Sequence, residues 1–324
     1  MAPQYNAETT AEVVVDACAE RIRGKVVLTT GVSPGGLGAS FVESIAKKQP
    51  KLLILAGRDI SKVEQTAQAI SAASPGVKTR LLELDLGSQA QIRKAAKEVK
   101  AYEEPIDVLV NNAGIMACPY STTEDGVESQ FGINHIGHFL FTNLIMDKVL
   151  AAGPGARIIS VSSDGLRLGP VRFDDWEFHG GETYDKWRAY GQAKTANVLF
   201  ALSLAEKLGN KGVQAFSLHP GVIMTNLGRT MSDADVAGLA ALDRELGNKQ
   251  GWRVEFPLKT MAQGTATHVY ASFDPSIADR NGSFLFDSQV CPPEDIKPWA
   301  RDPIEAAKLW KLSEDIVGEE FTYP

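Results

Sequence analysis

Val26-Val27-Leu28-Thr29-Thr30-Gly31-Val32-Ser33-Pro34-Gly35-Gly36-Leu37-Gly38 is a short apolar, β-branched run followed by four glycines within eight residues. A strand with no polar alternation is one buried on both faces, the mark of a parallel sheet. Residues 36–48 then read as a helix. Strand, glycine turn and helix in that order open a βαβ unit, in which the glycines let the backbone turn tightly and approach a pyrophosphate at the helix N-terminus. A glycine-rich loop alone could be an ordinary turn; its position after the first strand raises its weight.

Outward from this loop the same rhythm repeats. Apolar strands are expected at 52–56, 79–84, 106–111, 157–162 and 213–219, and helices at 61–73, 89–102, 126–150 and 189–208. Regular alternation with right-handed crossovers gives an α/β doubly wound parallel sheet with helices on both faces, binding ligands at the carboxyl ends of its strands. No repeat or low-complexity linker divides residues 1–324, so a single domain is expected. Upstream, residues 1–24 read as a helical extension: Thr9 and Glu12 form a capping-box pattern, Val14, Cys18 and Ile22 share one face, and Gly24 ends it. Two segments break the rhythm: 165–188, with Trp176, Phe178, Tyr184 and Trp187, and 222–260. Loops of this length are usually lids or binding walls, though surface decoration reads the same way. Residues 287–324 read as a C-terminal tail.

The 324 residues carry a net charge of −7, a pI near 5.4, 44% hydrophobic and 23% charged residues. That balance argues against a nucleic-acid or anionic-membrane partner. Cys18, Cys118 and Cys291 stand alone, as suits a reducing compartment. His135 and His138 lack a third metal ligand nearby, so no metal is expected. No signal peptide is visible and no run nears the ~20 apolar residues of a membrane span; the expected location is cytoplasmic.

Gly57-Arg58 follows the second strand. A carboxylate there would bind a ribose 2′-hydroxyl and repel a 2′-phosphate, whereas a guanidinium chelates phosphate. The expected cofactor is therefore NADP(H), unless Arg58 merely pairs with Asp59 or a helix end. Asp85-Leu86 ends the third strand within reach of an adenine. Asn111-Asn112-Ala113-Gly114 ends the fourth, with small residues beside the cofactor ribose.

Tyr190 and Lys194, four apart, share one helix face. A free phenol is too weak a base at neutral pH, and a nearby cation stabilises its phenolate; a group so tuned exchanges a proton with a substrate oxygen while hydride moves. The spacing alone is common. In company with the glycine loop, Asp85-Leu86, Asn112-Ala113-Gly114, Asn134, Ser162-Ser163 and Pro220-Gly221, taken in order from Lys25 to Thr225, it resembles the short-chain dehydrogenase/reductase family, with a Rossmann-type sheet of about seven strands and a further helix and strand near 262–286.

The resemblance implies Tyr190 as proton donor or acceptor, with Lys194 lowering its pKa and binding the ribose. It implies Ser163, rather than Ser162, on the substrate oxygen, and Asn134 holding a water that relays protons to Lys194. Gly31, Ser33, Gly36, Leu37, Gly38, Arg58, Asp85, Leu86, Asn112, Ala113 and Gly114 would line the cofactor, with Pro220, Gly221, Val222 and Thr225 against its nicotinamide. The glycine loop departs from the family by one residue: Gly31, Gly36 and Gly38 fit the pattern only with an insertion.

Asn134-His135-Ile136-Gly137-His138-Phe139 and Lys194-Thr195-Ala196-Asn197-Val198-Leu199-Phe200 look most like the retinol-dehydrogenase-like branch, while the glycine loop and polar leader look more like soluble fungal members. The expected activity is carbonyl–alcohol interconversion on a small apolar or aromatic substrate. A silent nucleotide sensor and a nucleotide-sugar epimerase or dehydratase are the alternatives. Val198-Leu199-Phe200 fits either a homodimer face or core.

Overall fold

All five residues of β1 (Val26–Thr30) are buried, as befits a strand with neighbours on both sides and helices on both faces. In the computed structural model, which describes residues 5–228, 231–253 and 257–323, β1 lies parallel to β2 (Leu52–Gly57) on one side and β4 (Val108–Asn111) on the other. Beyond β2 runs β3 (Thr79–Glu83); beyond β4 run β5 (Arg157–Val161) and β6 (Gln214–His219). A separate parallel pair, β7 (Val222–Ile223) and β8 (Leu258–Lys259), precedes β9 (Phe284–Phe286), which joins β6, and β10 (Gln289–Val290), which pairs antiparallel with β9. The main sheet thus has eight strands in the order β10-β9-β6-β5-β4-β1-β2-β3. The chain winds one way from β1 and the other way from β4, and the crevice between these strands is where such sheets bind ligands. The eighth strand exists because Asp287 and Ser288 both adopt φ near +55° (54° and 56°), a tight hairpin geometry reached here without glycine.

The strands feed two apolar layers. On one face pack α1 (Ala11–Ala17), α2 (Ala19–Ile22), α3 (Leu37–Ala46), α4 (Ile60–Ala73) and α11 (Met261–Phe273). The other face carries α5 (Gln89–Lys100), α6 (Ser129–Phe131), α7 (Gly137–Leu144), α8 (Met146–Leu150), α9 (Lys186–Leu208) and α12 (Pro303–Val317). The remaining helix, α10 (Asp233–Glu245), lies outside both layers, over the carboxyl ends of the strands. Among the described residues no helix is long and apolar enough to cross a membrane.

Three segments differ from their sequence reading. Val14, Cys18 and Ile22 are buried as expected, but Thr9 and Glu12 form no capping box. Thr10 takes the N-cap position without a side-chain bond, and the Thr9 hydroxyl accepts from the Asn6 N–H at 2.9 Å. The helix expected over 126–150 is interrupted by a π turn at Gly132–Ile136 and a break at Ile145. Such π turns often mark functional sites, and this one carries Asn134. The stretch read as a tail holds β10 and α12. Asp302 caps α12 through the Ile304 N–H (2.8 Å), Pro303 opens it and Gly318 (φ +68°) ends it.

α12 answers the question left by Val198-Leu199-Phe200, because that face is core. Trp310 packs against Phe139 and Phe200, with ring centroids 5.0 and 6.1 Å away, and Val198 lies against Phe284, Ile296 and Ala300. His135, in the π turn, contacts the Ser313 hydroxyl of α12 at 2.8 Å.

Candidate active site

A continuous cleft of about 2070 Å³ runs along the carboxyl ends of the strands, from Arg58 and Lys62 past the glycine loop to Tyr190 and on beneath α10. Ordinary small-ligand pockets hold ~300–1,000 Å³, so this cleft has room for an extended cofactor together with a substrate.

At the cofactor end the loop after β1 is shaped by close approach. A Cβ on Gly38 would stand 2.5 Å from Asn112 Nδ2 and 2.6 Å from the Gly31 carbonyl, and one on Gly31 (φ +73°) would stand 2.7 Å from Ala113 Cα. The extra residue is taken up in a turn in which the Gly36 N–H donates to the Ser33 carbonyl (3.1 Å), leaving Gly36 as the N-cap of α3. Among the described helices of ten residues or more, α3 alone has no side-chain cap; Asp59, Ser88, Asp185, Ser232, Thr260 and Asp302 cap the others. Its first N–H groups, beside Leu37, therefore face the cleft free to hold an anion. A dinucleotide pyrophosphate fits this cradle.

Arg58 is exposed at the rim and its guanidinium has no partner among the described residues. Asp59 does not pair with it, because that carboxylate caps α4 through Ser61 and Lys62; the Ser61 hydrogen bonds hold its pKa below the usual carboxylate range. Asp85 Oδ1 accepts from the Gly87 N–H at 2.9 Å, and Leu86 lies beside it in the cleft wall. Asn112 lines the cleft, yet its amide is engaged with the protein: Nδ2 donates to the carbonyls of Thr30 (2.9 Å) and Gly31 (3.2 Å), tying β4 to the glycine loop. Ala113 and Gly114 follow it, and Pro220, Gly221, Val222 and Thr225 form the opposite wall. From that wall Asn226, which the sequence did not single out, donates to the Pro34 carbonyl at 3.1 Å.

One buried chain of hydrogen bonds leads from this loop to the catalytic candidates. Thr30 Oγ1 accepts the N–H groups of Asn112 and Ala113, both at 3.0 Å, and so donates its own proton to His138 Nε2 at 2.9 Å. His138 must then carry its proton on Nδ1, which donates to the Asn134 carbonyl at 3.1 Å. Burial lowers the His138 pKa to about 4, so it acts as a neutral fastener. The Asn134 side chain is clamped both ways to Ile115, accepting from its N–H (2.8 Å) and donating to its carbonyl (2.9 Å).

Asp185 caps α9 through the N–H groups of Trp187 and Arg188, fixing the register that puts Tyr190 and Lys194 one turn apart, both buried. Lys194 Nζ donates to the Val161 carbonyl (3.1 Å) and lies 5.6 Å from the Tyr190 ring centroid. Ser162 Oγ is tied to the Lys194 carbonyl at 2.6 Å, whereas Ser163 Oγ accepts from the Gly165 N–H at 3.0 Å and lines the cleft together with Tyr190. Gly165 is needed there, since a Cβ would meet Tyr190 Cε1 at 2.7 Å. Burial pushes the phenol up to about 12 against the lowering effects of Ser163 and the Arg167 guanidinium, and burial alone pulls Lys194 down to about 8. Arg167, a residue the sequence reading passed over, thus adds a smaller lowering effect beside that of Ser163.

Beyond the phenol the cleft turns apolar. Ala117, Leu168, Trp187 and Leu242 pack around Tyr190, with Met116, Met231 and Leu239 at their edge. Both irregular segments contribute to this wall. α10, from 222–260, is held over it by a Lys186–Asp235 ion pair, by Trp187 Nε1 donating to the Asp235 carbonyl (2.9 Å), and by Arg188–Glu245 (2.6 Å). Residues 229–230 and 254–256 of that loop lie outside the described residues.

The sequence profile described as "short chain dehydrogenase" matches residues 25–235. Retinol dehydrogenase 14 of Mus musculus is 36% identical over 307 residues, covering 92% of this chain and 87% of that protein. Human retinol dehydrogenase 13 is 37% identical over 299 residues, covering 92% and 86%. Among solved structures, an uncharacterised protein from Mycobacterium paratuberculosis superposes with a TM-score of 0.69 at 28% identity, covering 93% of this chain and 96% of that one. A gluconate 5-dehydrogenase from Burkholderia cenocepacia, in complex with NADP and tartrate, shares the fold (TM-score 0.62, 21% identity, 83% and 96% coverage).

Proposed function

The chain belongs to the short-chain dehydrogenase family, on its retinol-dehydrogenase-like branch, and from that premise we propose that it interconverts a carbonyl and an alcohol on a small apolar or aromatic substrate with NADP(H). The observation that carries this reading is the meeting of Ser163, Tyr190 and Lys194 in one cleft, between the uncapped α3 cradle and the apolar wall. Arg58, free at the rim, supports the 2′-phosphorylated cofactor. The wall of Met116, Leu168, Trp187 and Leu239 supports an apolar substrate, since such pockets are lined mainly by hydrophobic side chains with a few convergent polar groups. Three free cysteines fit a reducing, cytoplasmic location.

In this reading the reduced nicotinamide, when bound, supplies the hydride. Every other part belongs to the chain. Ser163 orients the carbonyl oxygen and steadies its developing charge. Tyr190 gives its phenolic proton to that oxygen, and Lys194, beside Asn134 and His138, stands behind it to restore the proton. The apolar wall excludes water from the transfer.

Tyr190→Phe tests the assignment. General acid catalysis contributes about 10²–10⁴-fold, so kcat for carbonyl reduction falls by that order while NADPH binding stays at the wild-type value. A Tyr190→Phe protein as active as wild type overturns the reading.

A further inference from the structure

The guanidinium beside the phenol is the centre of an enclosed polar network at the edge of the cleft. The Arg167 side chain is 8% exposed and that of Asp243 is 0% exposed. Arg167 Nε donates to Asp243 Oδ1 at 2.9 Å and Nη2 to Oδ2 at 2.7 Å, a two-pronged pairing, while Nη1 donates to Asp164 Oδ2 at 2.9 Å and to the Asp164 carbonyl at 3.1 Å. Asn248 Nδ2 reaches both Asp243 Oδ1 (3.0 Å) and the Arg167 carbonyl (3.3 Å), and Gln250 Nε2 reaches Asp164 Oδ2 (3.2 Å). The network joins two segments 76 residues apart.

Each segment touches the reacting groups. The turn Asp164–Leu168 begins directly after Ser163, presses Gly165 against the Tyr190 ring and gives Leu168 to the apolar wall. Asp243 lies in the last turn of α10, next to Leu242 of the same wall. The other ion pairs that hold α10, Lys186–Asp235 and Arg188–Glu245, are partly exposed and hence screened. A buried pair gains little over apolar residues of the same volume, so stability alone does not account for it.

We propose that Arg167 is a positioning residue for proton transfer: its fork to Asp243 locks α10 to the turn that carries Ser163, so that the substrate wall closes and Ser163 aligns with the Tyr190 phenol as one unit. The inference rests on Ser163 and Tyr190 being the reacting pair.

Arg167→Gln/Asp243→Asn removes both charges together and leaves neither buried alone. The variant is compared with wild type by melting temperature, by NADPH titration and by steady-state kinetics with NADPH on octanal and acetophenone. The expected result is a folded protein that binds NADPH as wild type does. Its kcat falls about 10- to 100-fold, the scale set by misplacement of about an ångström at a reacting centre, and its KM for both probes rises. A folded variant with unchanged kcat and KM overturns the inference, even if its melting temperature drops. Should the double variant not fold, Arg167→Lys, which keeps the charge but not the fork, decides in the same way: lowered kcat supports the proposal and wild-type kcat and KM overturn it. Wild-type protein that reduces neither probe would sink the functional reading itself, and this inference with it.

Discussion

Removing the Arg58 guanidinium separates two nucleotides that differ by one phosphate. Arg58 is exposed and has no protein partner among the described residues, while Asp59 is committed to capping α4. Arg58→Ala therefore breaks no hydrogen bond or ion pair among the described residues, and the change in folding stability stays within about 0.5 kcal/mol. Against a 2′-phosphate the loss is that of charge-assisted hydrogen bonds, about 1.5–3 kcal/mol, which corresponds to a roughly 10- to 150-fold rise in the NADPH Kd. NADH carries no phosphate there, so its Kd does not move. Because the side chain is exposed, the effect shrinks with added salt as the screening length falls below ~8 Å. Fluorescence titration of both nucleotides at two salt concentrations, with melting curves of the free proteins, measures all of this. Equal weakening of NADPH and NADH, or a wild-type protein that binds NADH more tightly, would refute the reasoning.

Acid should unfold the protein early. Burial lowers His135 to about 3 and His138, His219 and His268 to about 4, each from 6.5. A histidine depressed in the folded state contributes stability that is complete above its unfolded pKa and is lost as pH falls from about 6.5 toward about 4, at roughly 1.4 kcal/mol per pH unit for each residue. The melting temperature should drop steeply between pH 7 and pH 5, and a flat profile would contradict the neutral, buried assignment. Trp310→Ala removes the ring that covers Phe139 and Phe200 and should cost about 3–5 kcal/mol, read by urea denaturation; a loss below about 1 kcal/mol would mean that α12 is not an integral layer of the core.

Features set by short-range chemistry were legible in the sequence, and those set by distant partners were not. β1, β2, β4 and β5 are continuous apolar runs because they are covered on both faces, so their places could be read directly. The Tyr190/Lys194 spacing is likewise a local fact of helix geometry. The π turn at Gly132–Ile136 was hidden because its residues keep a helical apolar pattern while one extra residue widens the turn. The β9–β10 hairpin was hidden because Asp287 and Ser288 adopt positive φ without the usual Gly or Asn signal. The stop and start signals of α12, Asp302-Pro303 and Gly318, are present in the sequence but lie in a polar stretch that reads as a tail. At the site, Asn112 was expected beside the cofactor for its place in a motif; it lines the cleft, and the sequence did not show that its amide also fastens β4 to the glycine loop. Arg167 could not be found, because the carboxylate that makes it matter stands 76 residues downstream.

The packing of α12 on the catalytic helix also fixes when the protein becomes competent during its synthesis. Ser203 of α9 donates to the carbonyl of Ala306 at 3.0 Å, a contact spanning 103 positions. At ~5–20 residues per second, translation needs roughly 5–20 seconds after α9 emerges before its cover exists. Through that interval Phe200 and Phe139 lack the Trp310 ring that covers them in the folded protein. A chain cut before Pro303 would be held in that condition, so the catalytic helix matures only once α12 has been made.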